Sequence, residues 1–313
     1  MTDTMITGQA ARAIATTVLG RNPGPMAAVE SLSHQVHVAA DIVVKIIAAE
    51  EHTRLSREIT LAAKLPDGLT APLLGSGTHL VGGHEVRYAC YVRAPGAVPG
   101  MGLPDVDEAM ACSLAEQAVQ RLHALHSWAP RGDAERILRE PLDHGGFVSK
   151  AALLAEIEGV AAADRDGVVP FSLLAGLTRI AGSAPQHARA DVPVHADCHW
   201  GNWLAVDGRL TALLDFEWAR FGEPMDDWFF VIADSGPHLP AVLDVVARET
   251  STSPDTLRAE CEVREANHLA SDIRLALSDT RTHARLLTQR LTRLTEVIID
   301  RVWEAGPGGR ATR

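Results

Sequence analysis

The order of apolar and polar positions divides the chain into a strand-rich beginning and a helix-rich remainder. Apolar residues at helical spacing predict a helix over 8–19. Short runs rich in β-branched residues then predict three strands between 26 and 50. An amphipathic helix follows in EEHTRLSREITLAAKL, and further strands are predicted at 70–76 and 85–92. The first part is therefore predicted to be a small sheet with one internal helix.

From residue 105 onward the apolar spacing is mainly helical. DVDEAMACSLAEQAVQRLHALHSWAP begins with an acidic cap and ends before Pro130, so it predicts one long helix. Further helices are predicted at 148–159, 170–182, 224–234, 239–249, 254–277 and 280–304. Short strands are predicted at 192–195, 203–206 and 210–214.

The strand-rich part and the helix-rich part meet in RAPGAVPGMGLP, residues 93–104, where prolines and glycines favour a linker. We therefore predict an α+β protein with two domains, residues 1–94 and residues 95–313.

Composition narrows the range of partners. The net charge of −11 disfavours nucleic acid, because phosphate binding needs clustered Lys and Arg, and it suits a cationic small molecule. No apolar run reaches the roughly 18 to 20 residues of a membrane helix. The N-terminus carries acid before any base, unlike a secretory signal. Four widely spaced cysteines without a Cys-x-x-Cys pair predict reduced thiols and a cytoplasmic location.

Basic residues are almost all arginine, and the only lysines are Lys45, Lys64 and Lys150. A chain with this preference is expected to retain lysine where a compact, movable ammonium is needed.

Candidate chemistry is concentrated in VPVHADCHWGNWLAVDGRLTALLDFEWARFGEP, residues 192–224. A zinc site using His195, Cys198 and His199 is one interpretation, but neighbours in an extended segment point to opposite sides, and no second ligand group follows. The alternative is a hairpin that returns Asp215 beside Asn202. Amide and carboxylate oxygens suit Mg²⁺, which binds substrate phosphates. This alternative predicts phosphoryl transfer.

HADCHWGN and DFEWARFGEPMDD resemble the catalytic and metal-binding segments of the aminoglycoside phosphotransferase family, which has a two-lobed protein-kinase-like fold. The family pattern is His-Gly-Asp-Leu-His-Pro-Gly-Asn, then a strand with Asp-Phe, then Gly-Asp-Pro-x-x-Asp. The matching residues are His195, Asp197, His199, Gly201, Asn202, Asp215, Phe216, Gly222, Pro224 and Asp227. This chain departs from the pattern with Ala196, Cys198, Trp200 and Glu223, none of which removes a reacting group.

The resemblance implies a role for each matching polar residue. Asp197 would be the catalytic base, and Asn202 and Asp215 would hold Mg²⁺. Asp227 would accept backbone N–H bonds from the catalytic loop, and His195 would be structural as well.

The resemblance extends over residues 26–234 and implies a nucleotide site for ATP or GTP in the first lobe. Lys45, in an apolar strand, would reach the phosphates while Glu58 on the next helix holds it, with Glu50 and Glu51 as rival partners.

Two backbone segments would complete that site. Ser33 and His34 in SLSHQVHV would present N–H groups to the phosphates. Val92 and Ala94 in RYACYVRAPG would bond adenine, with Tyr91 behind the base.

Residues that recognise the acceptor are expected near the catalytic loop and after residue 235. Trp200 either shapes the acceptor pocket or packs on the rim of the lobe. Glu262, Glu265 and Asp272 share one helical face and are expected to bind a cation, unless they pair with neighbours such as Arg264 and Arg274.

The predicted function is transfer of a nucleotide γ-phosphate to a hydroxyl of an antibiotic or another cationic natural product. The alternatives are a metabolite kinase of the same fold, acting on a sugar, a choline-like alcohol or an amino alcohol, and a silent kinase-like binding protein.

Overall fold

The structure, a computed structural model, describes residues 2–31, 34–48, 54–142 and 146–304, with the backbone alone at 2–7 and 281. The elements of the first lobe are α1 (Thr2–Leu19), β1 (Ala27–Val29), β2 (Gln35–Val38), β3 (Ile42–Ala48), α2 (Arg54–Ala62), β4 (Leu73–Val81) and β5 (His84–Val92).

The five strands form one antiparallel sheet in the order β1-β2-β3-β5-β4. Alternate side chains of β3 face opposite sides of the sheet. Val44 and Ile46 pack with α1, while Ile47 packs with Leu55 of α2. Lys45 shares the α2 side with Ile47, and the strand therefore aims its ammonium toward that helix.

The remainder of the chain is mostly helical, and its apolar side chains form one continuous core. Its helices are α3 (Glu108–His126), α4 (Asp133–Arg139), α5 (Lys150–Ala163), α6 (Phe171–Ser183), α7 (Pro224–Ala233), α8 (Leu239–Thr250), α9 (Pro254–Ser278) and α10 (Thr280–Ile298). Its strands are β6 (Val192–Val194), β7 (Trp203–Val206), β8 (Arg209–Leu213) and β9 (Arg220–Gly222).

These strands form two antiparallel pairs, β6 with β9 and β7 with β8. One-turn 3₁₀ helices lie at Phe216–Trp218 and Gly236–His238. The sequence pattern missed α4 and β9, which have seven and three residues and so offer little periodicity. The predicted last helix extends too far, because α10 ends at Ile298 instead of 304.

The predicted fold class is confirmed: a small antiparallel sheet with its helices is followed by a larger helical lobe. The linker begins directly after β5, and the boundary predicted after residue 94 lies two residues beyond that strand.

In the described part of the chain, no single helix is long and apolar enough to cross a membrane. The bent pair Pro224–Ala233 and Gly236–Thr250 meets that test of length and composition only when both helices are taken together.

Candidate active site

The catalytic loop, residues 195–202, follows β6, and Asp227 in the first turn of α7 fixes it by hydrogen bonds. The Asp227 carboxylate accepts the backbone N–H of His195 at 3.1 Å and that of Ala196 at 2.7 Å. His126 Nε2 lies 2.8 Å from the same carboxylate. Although burial opposes ionisation, the bond and charge of His126 outweigh it and lower the pKa of Asp227. The loop therefore rests on a fully buried anion with three polar partners.

His195 links this loop to the end of the hairpin. Burial lowers the pKa of its ring, so the neutral form is favoured. Nε2 then donates to the Leu214 carbonyl at 2.8 Å, and Nδ1 accepts the Asp197 N–H at 3.2 Å. These bonds fix the tautomer and keep the residues before Asp215 beside the catalytic loop.

Asp197 is held by the side chain of Asn202. The Asn202 amide nitrogen donates to the Asp197 carbonyl at 2.8 Å and to its Oδ2 at 3.2 Å. The Asp197 side chain is 27% exposed, and His199 Nε2 lies 3.8 Å from Oδ1, too far for a hydrogen bond. Burial, followed by the charge of Asp215, raises the pKa of Asp197 well above its usual range. A base with a raised pKa is well suited to proton transfer near neutral pH.

The β7–β8 hairpin brings Asp215 back to Asn202. Asp207 and Gly208 both have positive φ, 47° and 73°, as the two-residue type I′ turn requires. At the open end, the Leu214 N–H donates to the Asn202 carbonyl at 2.8 Å. Asp215 itself has a left-handed φ of 68°. The turn chemistry and the closing bond thus place an amide and a carboxylate at the same end of the hairpin.

Lys45 crosses from the small lobe to this hairpin. Its ammonium lies 2.8 and 3.0 Å from the two Glu58 oxygens and 3.1 Å from Asp215 Oδ1. Burial alone would lower the pKa of Lys45, but the charges of Glu58 and Asp215 outweigh it and raise the pKa. Lys45 therefore remains charged although its side chain is only 12% exposed.

The oxygen donors at the hairpin end fit Mg²⁺. Because the Asn202 amide nitrogen faces Asp197, its carbonyl oxygen points away from that bond. Asp215 uses Oδ1 for Lys45, so Oδ2 is the oxygen left for a cation. Mg²⁺ typically takes one or two such protein ligands and completes its shell with waters and phosphate oxygens.

The same residues do not form a zinc cage. Cys198 Sγ donates to the Asp227 carbonyl, His199 Nδ1 accepts the Gly201 N–H, and His195 is used as described above. Within the described ranges, no group of three or more His, Cys, Asp or Glu side chains could hold a metal ion.

Comparison with known proteins agrees with this geometry. The model of the phosphotransferase enzyme family matches residues 30–271. The chain belongs to that family. It is a phosphotransferase of the kinase type. No curated protein sequence matches the chain.

Solved structures show the same fold at low sequence identity. Wild-type aminoglycoside 2'-phosphotransferase-IIIa in its GDP complex superposes with a TM-score of 0.69 at 17% identity, over 93% of this chain and 99% of that one. A thermostable mutant of aminoglycoside phosphotransferase APH(4)-Ia, with ADP and hygromycin B, gives 0.62 at 16%, over 96% and 99%. The gentamicin-APH(2")-IIa complex gives 0.61 at 14%, over 91% and 94%.

Within this family fold, the predicted adenine contacts at the hinge are only partly available. The Val92 N–H donates to the Pro72 carbonyl at 2.9 Å, so it is not free for a base. Among the described residues, the backbone of Ala94 forms no hydrogen bond to other backbone groups. Tyr91 is buried, with its ring centroid 6.0 Å from Lys45 Nζ.

The predicted phosphate turn is described only from its second residue onward. Ser33 lies outside the described residues, as do the rival acids Glu50 and Glu51. His34 is buried, with Nε2 3.5 Å from Glu217 Oε2. The sequence pattern missed Glu217, whose only signal was its position two residues after Asp215. Burial, followed by the charge of Asp215, raises the pKa of Glu217 to about 7.

Trp200 does not line an open acceptor pocket. Its side chain is fully buried, and Nε1 donates to Ser235 Oγ at 3.0 Å and to the Val231 carbonyl at 3.2 Å. The prediction that Trp200 contacts substrate is therefore corrected: this indole anchors the catalytic loop on α7.

Two acids of the face predicted to bind a cation, Glu265 and Asp272, are already paired. Glu265 accepts from Arg293 Nε at 2.5 Å, from Arg293 Nη2 at 3.1 Å and from Trp303 Nε1 at 2.6 Å. Asp272 lies 2.6 Å from Arg290 Nε. The partners come from α10 and the chain beyond it, and not from Arg264 or Arg274 as the alternative had predicted.

A carboxylate nearer to the catalytic loop, Asp234, was missed. It follows α7, and its carbonyl accepts the Gly102 N–H at 2.8 Å. Burial, followed by the charge of Glu265, raises the pKa of Asp234 to about 7. Its charge also contributes, after burial and the charge of Asp215, to the raised pKa of Asp197. Its only sequence signal was its position directly after the apolar run WFFVIA, at the end of MDDWFFVIAD.

Proposed function

We propose that the protein transfers the γ-phosphate of ATP or GTP to a hydroxyl of a small natural product. An antibiotic is the first candidate acceptor, and its inactivation would be the result. One observation carries the proposal: Lys45 joins Glu58 to Asp215 at the hairpin end where Asn202 holds Asp197. This arrangement supports the assignment of Asp197 as base, of Asn202 and Asp215 as metal ligands, and of Lys45 as the phosphate-binding ammonium.

In the proposed reaction, Asp197 accepts the proton of the acceptor hydroxyl as its oxygen attacks the γ-phosphorus. The bond from that phosphorus to the bridging oxygen breaks, and the nucleoside diphosphate leaves with its electron pair. Asp197 is suited to this role because Asn202 occupies Oδ2 and leaves Oδ1 for the hydroxyl. The protein's part is positioning and charge compensation.

Lys45 would contact the nucleotide phosphates, and Asn202 and Asp215 would hold Mg²⁺. When bound, Mg²⁺ neutralises part of the phosphate charge. Nucleotide use is supported by the GDP and ADP complexes of the solved structures with this fold. Ala94 is the backbone position that we propose for adenine recognition.

Two classes of acceptor are considered, an antibiotic and a metabolite. Hygromycin B and gentamicin are bound by two of the solved structures, which supports an antibiotic. Pairing of Glu265 with Arg293 and of Asp272 with Arg290 favours a second candidate, a metabolite kinase whose acceptor carries few or no positive charges. A polyamine acceptor needs unpaired carboxylates, whereas a sugar or an amino alcohol does not.

A cytoplasmic location is part of the same proposal. It is supported by four cysteines, Cys90, Cys112, Cys198 and Cys261, which are all unpaired.

Turnover of ATP and GTP with Mg²⁺ in the presence of a panel of antibiotics and metabolites tests the function. We expect nucleotide consumption with at least one acceptor, abolished in Asp197→Ala. The control is Asp207→Asn, which changes an exposed turn aspartate to a residue equally suited to positive φ. Nucleotide binding without any turnover would favour the silent binding protein instead.

A further inference from the structure

Arg57 is a buried cation that the reaction does not use. It precedes Glu58 on α2 and is 4% exposed. Consecutive residues on a helix point about 100° apart. Glu58 therefore faces Lys45, while Arg57 faces the large lobe.

The guanidinium of Arg57 binds three backbone carbonyls of the large lobe. Nη1 donates to Ile137 at 2.5 Å and to Ala219 at 2.9 Å, and Nη2 donates to Glu140 at 3.0 Å. Ile137 and Glu140 are at the end of α4, where helix carbonyls carry partial negative charge; the Ile137 carbonyl also accepts the Glu140 N–H at 3.3 Å. Arg57 thus caps a helix that belongs to the other lobe.

The third carbonyl connects Arg57 to the metal-binding strand end. Ala219 closes the one-turn helix Phe216–Trp218, so it lies four residues after Asp215. The contacts form a ring: Lys45 binds Glu58 and Asp215, and Arg57 fixes α2 to the segment that carries Asp215. Moving α2 would break both the Arg57 bonds and the Lys45 bonds.

We propose that Arg57 is a positioning residue that holds α2 and residues 215–219 at a fixed separation, so that Lys45, Glu58 and Asp215 stay assembled without a bound ligand. This inference rests on the proposed function. Three directional bonds carry it: they leave from two nitrogens of one planar guanidinium and reach carbonyls on separate segments, α4 and Ala219, at the same time.

Arg121 offers a matched control. It also binds carbonyls across elements, Gly68 at 2.7 Å and Leu210 at 2.6 Å. Neither carbonyl lies in residues 215–219 or in α2. Loss of Arg121 therefore removes bonds of the same kind without breaking the ring.

The test compares Arg57→Ala and Arg57→Lys with Arg121→Ala in the full chain. We expect kcat of both Arg57 variants to fall about 10²-fold, the cost of a displacement of roughly 1 Å at the reacting groups. The KM for nucleotide should change less than about threefold, since adenine contacts are made elsewhere. Millimolar methylguanidinium should restore activity to Arg57→Ala only. Unchanged kcat, or equal losses in Arg121→Ala, would overturn the inference.

Hydrogen exchange provides a second readout that needs no turnover. In Arg57→Ala, amides of α2 and of residues 216–219 should lose protection together, whereas Arg121→Ala should retain both. Retained protection in Arg57→Ala contradicts the inference. Absence of turnover in the unmodified protein contradicts the proposed function alone, and the exchange result then still decides the role of Arg57. Should Arg57→Ala not fold, Arg57→Gln, which keeps one donor group, takes its place.

Discussion

The catalytic hairpin and the α9–α10 pair both carry partly or fully buried acids, and the two regions satisfy them differently. Asp197, in the catalytic loop beside the hairpin, accepts from Asn202 through Oδ2, and Asp215 at the hairpin end accepts from Lys45 through Oδ1, so each uses one carboxylate oxygen. On α9, Glu265 accepts three hydrogen bonds, and Asp272 is paired with Arg290. Acids left with open oxygens can bind a cation or accept a proton, whereas fully paired acids stabilise the fold.

The comparison separates the carboxylates that we propose for the reaction from the carboxylates that are used in packing. It also concerns the acceptor. Although the chain has a net negative charge, acids such as Glu265 and Asp272 are paired with arginines, so the net charge alone does not predict a cationic acceptor. The substitutions below test this division, beginning with the largest expected effect.

Asp215→Asn should stop turnover and weaken binding of Mg²⁺-nucleotide. An amide cannot offset the charge of the cation, and it also removes an anion that holds Lys45 at 3.1 Å. Isothermal titration with Mg²⁺-nucleotide, alongside the turnover assay, measures both losses. Asp207→Asn on the same hairpin is the control and should behave like the unmodified protein. Normal Mg²⁺-nucleotide affinity in Asp215→Asn would exclude Asp215 as a metal ligand.

Asp197→Ala should lower the rate of phosphoryl transfer by ~10² to 10⁴-fold, the usual contribution of a general base. Nucleotide affinity should remain nearly unchanged, since Lys45 and Asp215 stay in place. Single-turnover kinetics and a nucleotide-binding measurement separate the two quantities. The assignment of Asp197 as base fails if acceptor is turned over at the unmodified rate.

Glu265→Gln should lower the free energy of unfolding by about 1–3 kcal/mol, because Arg293 and Trp303 lose a charged acceptor. The KM for acceptor should not change. Urea denaturation measures the first quantity, and Glu262→Gln on the same helix is the control. A several-fold rise in acceptor KM with unchanged stability would instead return Glu265 to the acceptor site.

Asp234→Asn should leave turnover the least affected, and its effect should be visible in the pH dependence of stability. The pKa of Asp234 is raised from 3.8 to about 7 in the folded chain, so the folded state binds more protons than the unfolded state between those values. Stability contributed by the protonated carboxyl is therefore lost as pH rises from about 4 to about 7.

The Asn variant lacks this loss. Its Tm should exceed that of the unmodified protein above pH 7 and converge with it near pH 4. Thermal unfolding across this pH range measures the difference, with Asp207→Asn as control. A constant Tm difference at all pH values would show that Asp234 does not titrate in this interval.

Local patterns specify the hairpin well. The Asp207-Gly208 turn, the alternating strands around it and the positions of Asn202 and Asp215 were all visible in the sequence, because each depends on residues close together in the chain. A partner for Lys45 was also predictable, since a charged residue within an apolar strand requires one. The choice of Glu58 over Glu50 and Glu51 followed from the family resemblance. Short elements such as α4 and β9 were not, because seven or three residues give too little periodicity.

The sequence by itself therefore determined the division into a strand-rich and a helix-rich part, most of the helices and strands, and the hairpin that returns Asp215 to Asn202. Only the tertiary structure decided that Trp200 is an anchor in the core, that Glu265 is paired with Arg293, and that Arg57 caps a helix of the other lobe. These contacts join residues 28 to 80 positions apart. Spacing along a strand or helix relates only near neighbours, so distant pairing depends on how whole elements pack.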